Sequence, residues 1–194
     1  MLRKYNPERG FIEWSRETLS LMRAPLFNMQ DGIRPNNYNN FCTNLGRPEQ
    51  RLMFTYFTEA NEFAYHAARL NEYHAEAHEY ARQVYEIDKD CFPVPVKTIN
   101  WYKAQFVHTY GYTLLQKAAK LPQVEGKTNQ DAQSLYRTAR RVLAEAIEWL
   151  HPYVHEEETV WKELPLIERI FAGRPQKAIE AKFLSHLKIA QESQ

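Results

Sequence analysis

The sequence predicts an all-α fold, a helical bundle or short array of helical hairpins organised around one long helix over about 49–91. Three observations carry this prediction. Met53, Tyr56, Ala60, Phe63, Ala67, Leu70, His74, Ala77, Ala81 and Val84 recur at alternating spacings of three and four, which sets them on one helical stripe. No Gly or Pro falls between Pro48 and Pro93 and the phase never slips, so the expected element is one unbroken rod. At ~1.5 Å per residue it would be roughly 60 Å long. No apolar–polar alternation of the strand kind is sustained anywhere in the chain. The alanines of the stripe let partner helices approach closely, and His74 is the titratable residue at its middle.

The other elements follow in order. Residues 1–47 read as an N-terminal arm, a short helix and an Asn-rich loop, and 48–194 as an all-helical domain. In the first part, Met1–Gly10 is polar, and Phe11–Arg23 carries Phe11, Trp14, Leu19 and Met22 at amphipathic spacing. Ala24-Pro25 is expected to end that helix. Gln30–Pro48 holds five asparagines and several turn signals, a long irregular loop of the sort that is often functional. Pro48-Glu49 suits a first helical turn, and Phe92-Pro93-Val94-Pro95 a stiff, extended linker.

Thr98 is placed to cap a helix over Ile99–Lys120 that carries Trp101, Phe106, Tyr110, Leu114 and Ala118. After a polar loop, Ala132–Leu150 is cleanly amphipathic, with Leu135, Tyr136, Ala139, Val142, Leu143, Ala146 and Leu150 inward, and Pro152 is expected to break it. Glu156-Glu157-Glu158 opens a further helix to about Ala172, kinked at Pro165. Gly173 and Pro175 fit the stop and start that lead into a last helix ending near Gln191.

Composition narrows the function. The chain has 194 residues, 44% of them hydrophobic and 13% aromatic, enough for one domain with a sizeable core. A net charge of +1 gives no global drive toward nucleic acid. Cys42 and Cys91 stand far apart and form no CxxC pair, and the N-terminus lacks an apolar signal region, so a cytoplasmic protein with free thiols is expected. No segment approaches the ~20 apolar residues of a membrane span. With only 6 glycines and no Gly-rich phosphate loop or Gly-x-Ser-x-Gly elbow, nucleotide-loop and serine-nucleophile chemistry are not expected.

Tyr136, Ala139, Leu143, Ala146 and Ile147, followed by Pro152, resemble the second helix of a tetratricopeptide repeat. Trp101 and Gly111 suit its first helix, and Trp161, Leu164, Gly173 and Ala178 look like a following repeat. Ala77, Ala81, Val84 and Tyr85 are similar again. The likeness covers about half the chain and does not keep the family's period. It implies a scaffold whose concave face holds a peptide or partner helix, without catalysis.

The residues themselves point to one principal reading and two others. The first is a non-enzymatic scaffold or adaptor module that needs no cofactor and binds another protein, a second copy of itself included as a homo-oligomer. Tyr38, Phe41, Trp149 and Trp161 are its candidate contacts, because exposed aromatics mark interfaces. The second is a metal-dependent, di-iron-like bundle enzyme. His74 and His78 at i, i+4 and the Glu148-x-x-His151 pair carry ligand types suited to iron, manganese or zinc. Glu59, Glu62 and His66 add donors nearby, although a ferritin-like signature has two Glu-x-x-His motifs where this chain has one. The third is a nucleic-acid binder. Arg137, Arg140 and Arg141, with Lys117, Lys120 and Lys127, would grip phosphates beside Tyr102, Tyr110, Tyr112 and Tyr136.

Overall fold

The computed structural model describes residues 4–6, 11–13, 16–33, 47–87, 96–122, 129–155 and 176–193. Helices dominate these residues, as the sequence predicts: α1 (Arg16–Ile33), α2 (Arg47–Leu70), α3 (His74–Tyr85), α4 (Val96–Ala119), α5 (Gln130–His155) and α6 (Gln176–Glu192). A two-stranded antiparallel ribbon precedes them, β1 (Lys4–Asn6) and β2 (Phe11–Glu13), with Tyr5 opposite Ile12. Phe11–Glu13 is therefore strand rather than the start of the first helix, in keeping with the strand propensity of Phe and Ile.

The expected rod over 49–91 does not exist. It is broken at 71–73, and α3 returns along α2 as the second arm of a hairpin. Asn71 takes a left-handed φ of 64°, the amide of Glu72 donates to the Ala67 carbonyl at 2.9 Å, and the Asn71 amide donates to Ala68 at 3.2 Å. This is a Schellman stop with asparagine in the place glycine usually takes. Tyr73 is also left-handed, with φ 47°, and its ring lies beside Phe63 while the Arg23 guanidinium stacks on it at 4.6 Å. Those contacts offset the ~1–2 kcal/mol that a left-handed non-glycine residue costs.

The stripe misled for a definable reason. Ala60, Ala64 and Ala67 on α2 and Ala77, Ala81 and Val84 on α3 are all fully buried, with both arms directing the same face inward. A hairpin of this kind keeps the helical phase of a rod. Asn71→Ala is expected to lower the unfolding free energy by about 1 kcal/mol, and Asn71→Gly to leave it level or raise it. Urea titration of the two variants checks this; equal midpoints would contradict the Schellman assignment.

Other boundaries shifted as well. Pro25 does not end the first helix but lies inside α1. The Leu21 carbonyl loses its helical donor there, on a side where Leu21 is exposed, while Leu19, Met22 and Leu26 are buried in the shared core. Pro152 likewise lies inside α5. Its missing donor falls in the last turns, where few helical bonds follow. Thr98 is within the first turn of α4 rather than capping it. α5 is capped by Asn129, whose Oδ1 accepts from the amides of Asp131 and Ala132 at 3.0 and 3.2 Å.

The element at the centre is α4, which packs on α2, α3, α5 and α6. Trp101, Tyr102, Ala104, Phe106, Val107, His108, Leu114, Leu115 and Ala118 are buried around its circumference, as befits a helix with neighbours on several sides. Its closest approach is to α5: a Cβ built on Gly111 would come within 2.7 Å of Leu143 Cγ. Phe54 meets Tyr102, and Tyr65 meets His108 and Tyr112, so α4 runs parallel to α2. It runs antiparallel to α3, since His74 meets Lys120 and Tyr85 meets Tyr110.

Candidate functional site

The polar groups that the fold gathers lie on both sides of α3. Toward α4 the hairpin turn presents His74 and, one turn on, His78. The opposing turns of α4 present Thr113, Gln116, Lys117 and Lys120. Together with Ala68, Ala75 and Ala77, most of these line a cleft of about 330 Å3. Lys120 Nζ contacts His74 Nε2. His78 Nδ1 lies 3.3 Å from Thr113 Oγ1, and the Thr113 hydroxyl donates to the Tyr110 carbonyl at 2.8 Å. The threonine hydrogen is thus used, so His78 Nδ1 is the donor to Thr113. Burial, then the charge of Lys117, holds the His78 pKa below the usual imidazole value.

Below this cleft the His78 ring stacks on Tyr110 at 5.6 Å and Tyr110 on Tyr85 at 4.7 Å. The Tyr85 hydroxyl donates to Glu145 Oε2 at 3.1 Å, and Trp149 Nε1 donates to Glu145 Oε1 at 3.3 Å. One carboxylate therefore joins α3 to α5. Burial and the nearby Glu145 raise the Tyr85 phenol above its ordinary value.

On the other side of α3, toward α1, runs a groove of about 620 Å3. Ala24, Phe27, Ala75 and Tyr80 form its apolar wall, with Arg23, Glu76 and Glu79 along the edge. Arg23 pairs with Glu76 through both guanidinium and carboxylate ends, Nε to Oε2 being 2.8 Å, and Arg82 pairs with Glu79 at 2.8 Å. Phe27 is 56% exposed and Leu21 on the same helix 67%.

A third gathering is internal. His108 Nε2 lies 2.9 Å from His186 Nδ1 and bridges α4 to α6. Phe183 stacks on His108 at 3.8 Å, Tyr112 on His186 at 4.3 Å, and Lys182 Nζ sits 3.7 Å over the Tyr65 ring. One ring donates and the other accepts, which requires an unprotonated nitrogen between them. Burial, followed by the charge of Lys182, holds His186 down to about 4 and His108 well below its ordinary value.

The residues singled out from the sequence fare unevenly. His74 is not in the middle of a buried stripe but half-buried at the first turn of α3. His74 and His78 do share one cleft. Glu148 and His151 lie exposed on α5, beyond Leu143, and so toward the opposite end of α4. The four candidate metal ligands are not brought together, and among the described residues no three His, Cys, Asp or Glu side chains form a metal-sized group. Glu62 instead pairs with His66 at 3.3 Å along α2.

Arg137, Arg140 and Arg141 are exposed on α5, and Arg141 acts electrostatically on Tyr85 and Tyr110. Trp149 is half-buried against Glu145. Tyr38, Phe41, Trp161, Lys127, Cys42 and Cys91 lie outside the described residues. Sequence reasoning missed Phe27, Tyr80, Glu76 and Glu79, which only the α1–α3 packing unites, and the His108–His186 bond. A polar His108 on the otherwise apolar run Phe106-Val107 was the one available signal for the latter. Among the described residues, no helix is long and apolar enough to cross a membrane. No family model, no curated protein and no solved structure matches this chain.

Proposed function

We propose that this protein is a non-enzymatic, cytoplasmic interaction module that holds a segment of another protein in the groove between α1 and α3. The observation that carries this reading is the exposed apolar wall of that groove, Phe27 and Ala24 facing Ala75, with Tyr80 buried at its base. Large aromatic surface ringed by charge is the composition of an interface centre. The occupant is a segment with one large apolar side chain against Phe27, and a lysine or arginine beside the carboxylates of Glu76 and Glu79. Both carboxylates retain solvent exposure although each already has a guanidinium neighbour.

The test is a photo-crosslinking residue in place of Asn28, which is exposed beside the groove, used in the source cell and followed by reconstitution with the purified partner. Phe27→Glu is expected to weaken the reconstituted complex by at least ~tenfold, about 1.4 kcal/mol. Leu184→Glu, on exposed α6 surface, is expected to leave it unchanged. A partner indifferent to Phe27→Glu would refute the assignment, as would a probe that captures nothing.

A further inference from the structure

The second cleft, between α3 and α4, has a different chemistry from the groove, and only Ala75 lines both. We infer that it is an anion site that takes a phosphate group, held by Lys117, Lys120 and Gln116 over a floor of alanines. The argument starts from its lining. Its polar members are His74, His78, Thr113, Gln116 and Lys117, with Lys120 at the edge against His74, and no carboxylate is among them. The carboxylates in and just before α3 are engaged elsewhere: Glu72 with Arg16, Glu76 with Arg23, and Glu79 with Arg82. No carboxylate among the described residues pairs with Lys117 or Lys120. The cleft therefore concentrates cations and hydrogen-bond donors with no counter-charge of its own.

Phosphate fits this arrangement better than a carboxylate does. Lys117 and Lys120 stand one helical turn apart on the same helix, so two ammonium groups reach one ligand from one side. A dianion with several oxygen acceptors satisfies both, together with the Gln116 amide. The small side chains of Ala68, Ala75 and Ala77 leave room for the oxygens to approach the backbone. Lys120 now donates to His74, so a bound anion competes with that imidazole for the same ammonium group. His78 lies deeper, its Nδ1–H committed to Thr113, and reports on charge in the cleft without being displaced. About 330 Å3 exceeds the bulk of a bare phosphate ion, so a phosphate monoester of a small alcohol also fits.

The experiment follows the imidazole resonances of His74 and His78 by NMR on the full chain. Inorganic phosphate, glycerol phosphate and acetate are titrated at ionic strength held constant with sodium chloride. Both phosphate probes are expected to move the two histidines saturably, and acetate is not. The tighter of the two phosphates identifies the source, ester or free ion, and the phosphate class stands in either case. Lys117→Glu, at an exposed position where circular dichroism checks that the helices persist, is expected to abolish saturation. Arg137→Glu, on exposed α5 surface, is expected to leave it intact. Absence of saturable shifts, acetate matching phosphate, or Arg137→Glu reducing binding as much as Lys117→Glu would each overturn the site.

Discussion

Phe63→Ala is expected to lower the unfolding free energy by about 3–5 kcal/mol, a large share of the ~5–15 kcal/mol that holds a typical domain folded. Phe63 is fully buried in the hairpin that replaced the expected rod. Its ring meets Tyr80 of α3 edge-to-face at 5.6 Å and lies 6.0 Å from Tyr73, the residue held in the left-handed turn. Removing it opens a cavity where α2 and α3 join and takes away a contact that keeps Tyr73 in its strained conformation. The thermal midpoint is expected to fall by about 10 °C for a chain of this size. Leu70→Ala is the internal comparison. Leu70 is only half-buried, so its loss is expected to be clearly smaller. Chemical unfolding of both variants measures the contrast; equal losses would mean that the hairpin is not packed as described.

The second large effect is acid lability. His108 and His186 are neutral in the fold, with pKa values pushed down by burial and by Lys182. Above the ordinary imidazole value of 6.5 both folded and unfolded chains carry these rings neutral, and neither contributes to pH dependence. As pH falls through that value the unfolded chain takes up protons that the folded chain refuses. Stability is therefore lost from about 6.5 down to the folded value of about 4 for His186, and further for His108. His186 is partly exposed, which softens its share. By about pH 5 the expected loss is about 2–3 kcal/mol, or ~4–12 °C in thermal midpoint.

Burial sets the direction, and the groups facing the pair reinforce it. Lys182 repels a proton there, Tyr65, Tyr112 and Phe183 are uncharged rings, and no carboxylate touches either histidine among the described residues. His108→Phe combined with His186→Leu is expected to halve the acid-induced drop or better. The remainder comes from His66 and His78, whose pKa values are also depressed, chiefly by burial. An unchanged drop in the double variant would show that the bridge is not the acid-sensitive element.

Residue chemistry along the chain was enough for several features. The spacing of Leu135 to Leu150 marked α5, and Val142, Leu143, Ala146 and Leu150 are buried as that spacing requires. Pro175 with Gly173 placed the start of α6 within a residue or so. Helix identity of this kind rests on periodicity and caps, which are local. Two local signals misdirected. Asn71 carries no local stop signal, because a Schellman stop usually takes glycine and the hairpin preserves the phase of the stripe. Pro25 signals a break through its ~3 kcal/mol helix penalty, which burial of Leu19, Met22 and Leu26 along α1 outweighs.

The candidate sites were legible only as fragments. His74 and His78 were visible at i, i+4, but Lys117, Lys120 and Gln116 meet them only because α3 turns back antiparallel to α4. Phe27 and Tyr80 are distant along the chain and share a wall only through the α1–α3 packing. Glu148 and His151 have ligand chemistry and helical spacing, yet α5 meets α3 at its Tyr85 end through Glu145, far from His74 and His78 at its start. The amino-acid order alone thus settled that this chain is helical, because hydrogen bonding and side-chain burial along a helix depend on neighbours three and four residues away. Which helix stands at the centre, where the hairpin folds, and which charges share a cleft were settled by packing. Those outcomes depend on contacts between residues far apart in the chain, and no local pattern encodes them.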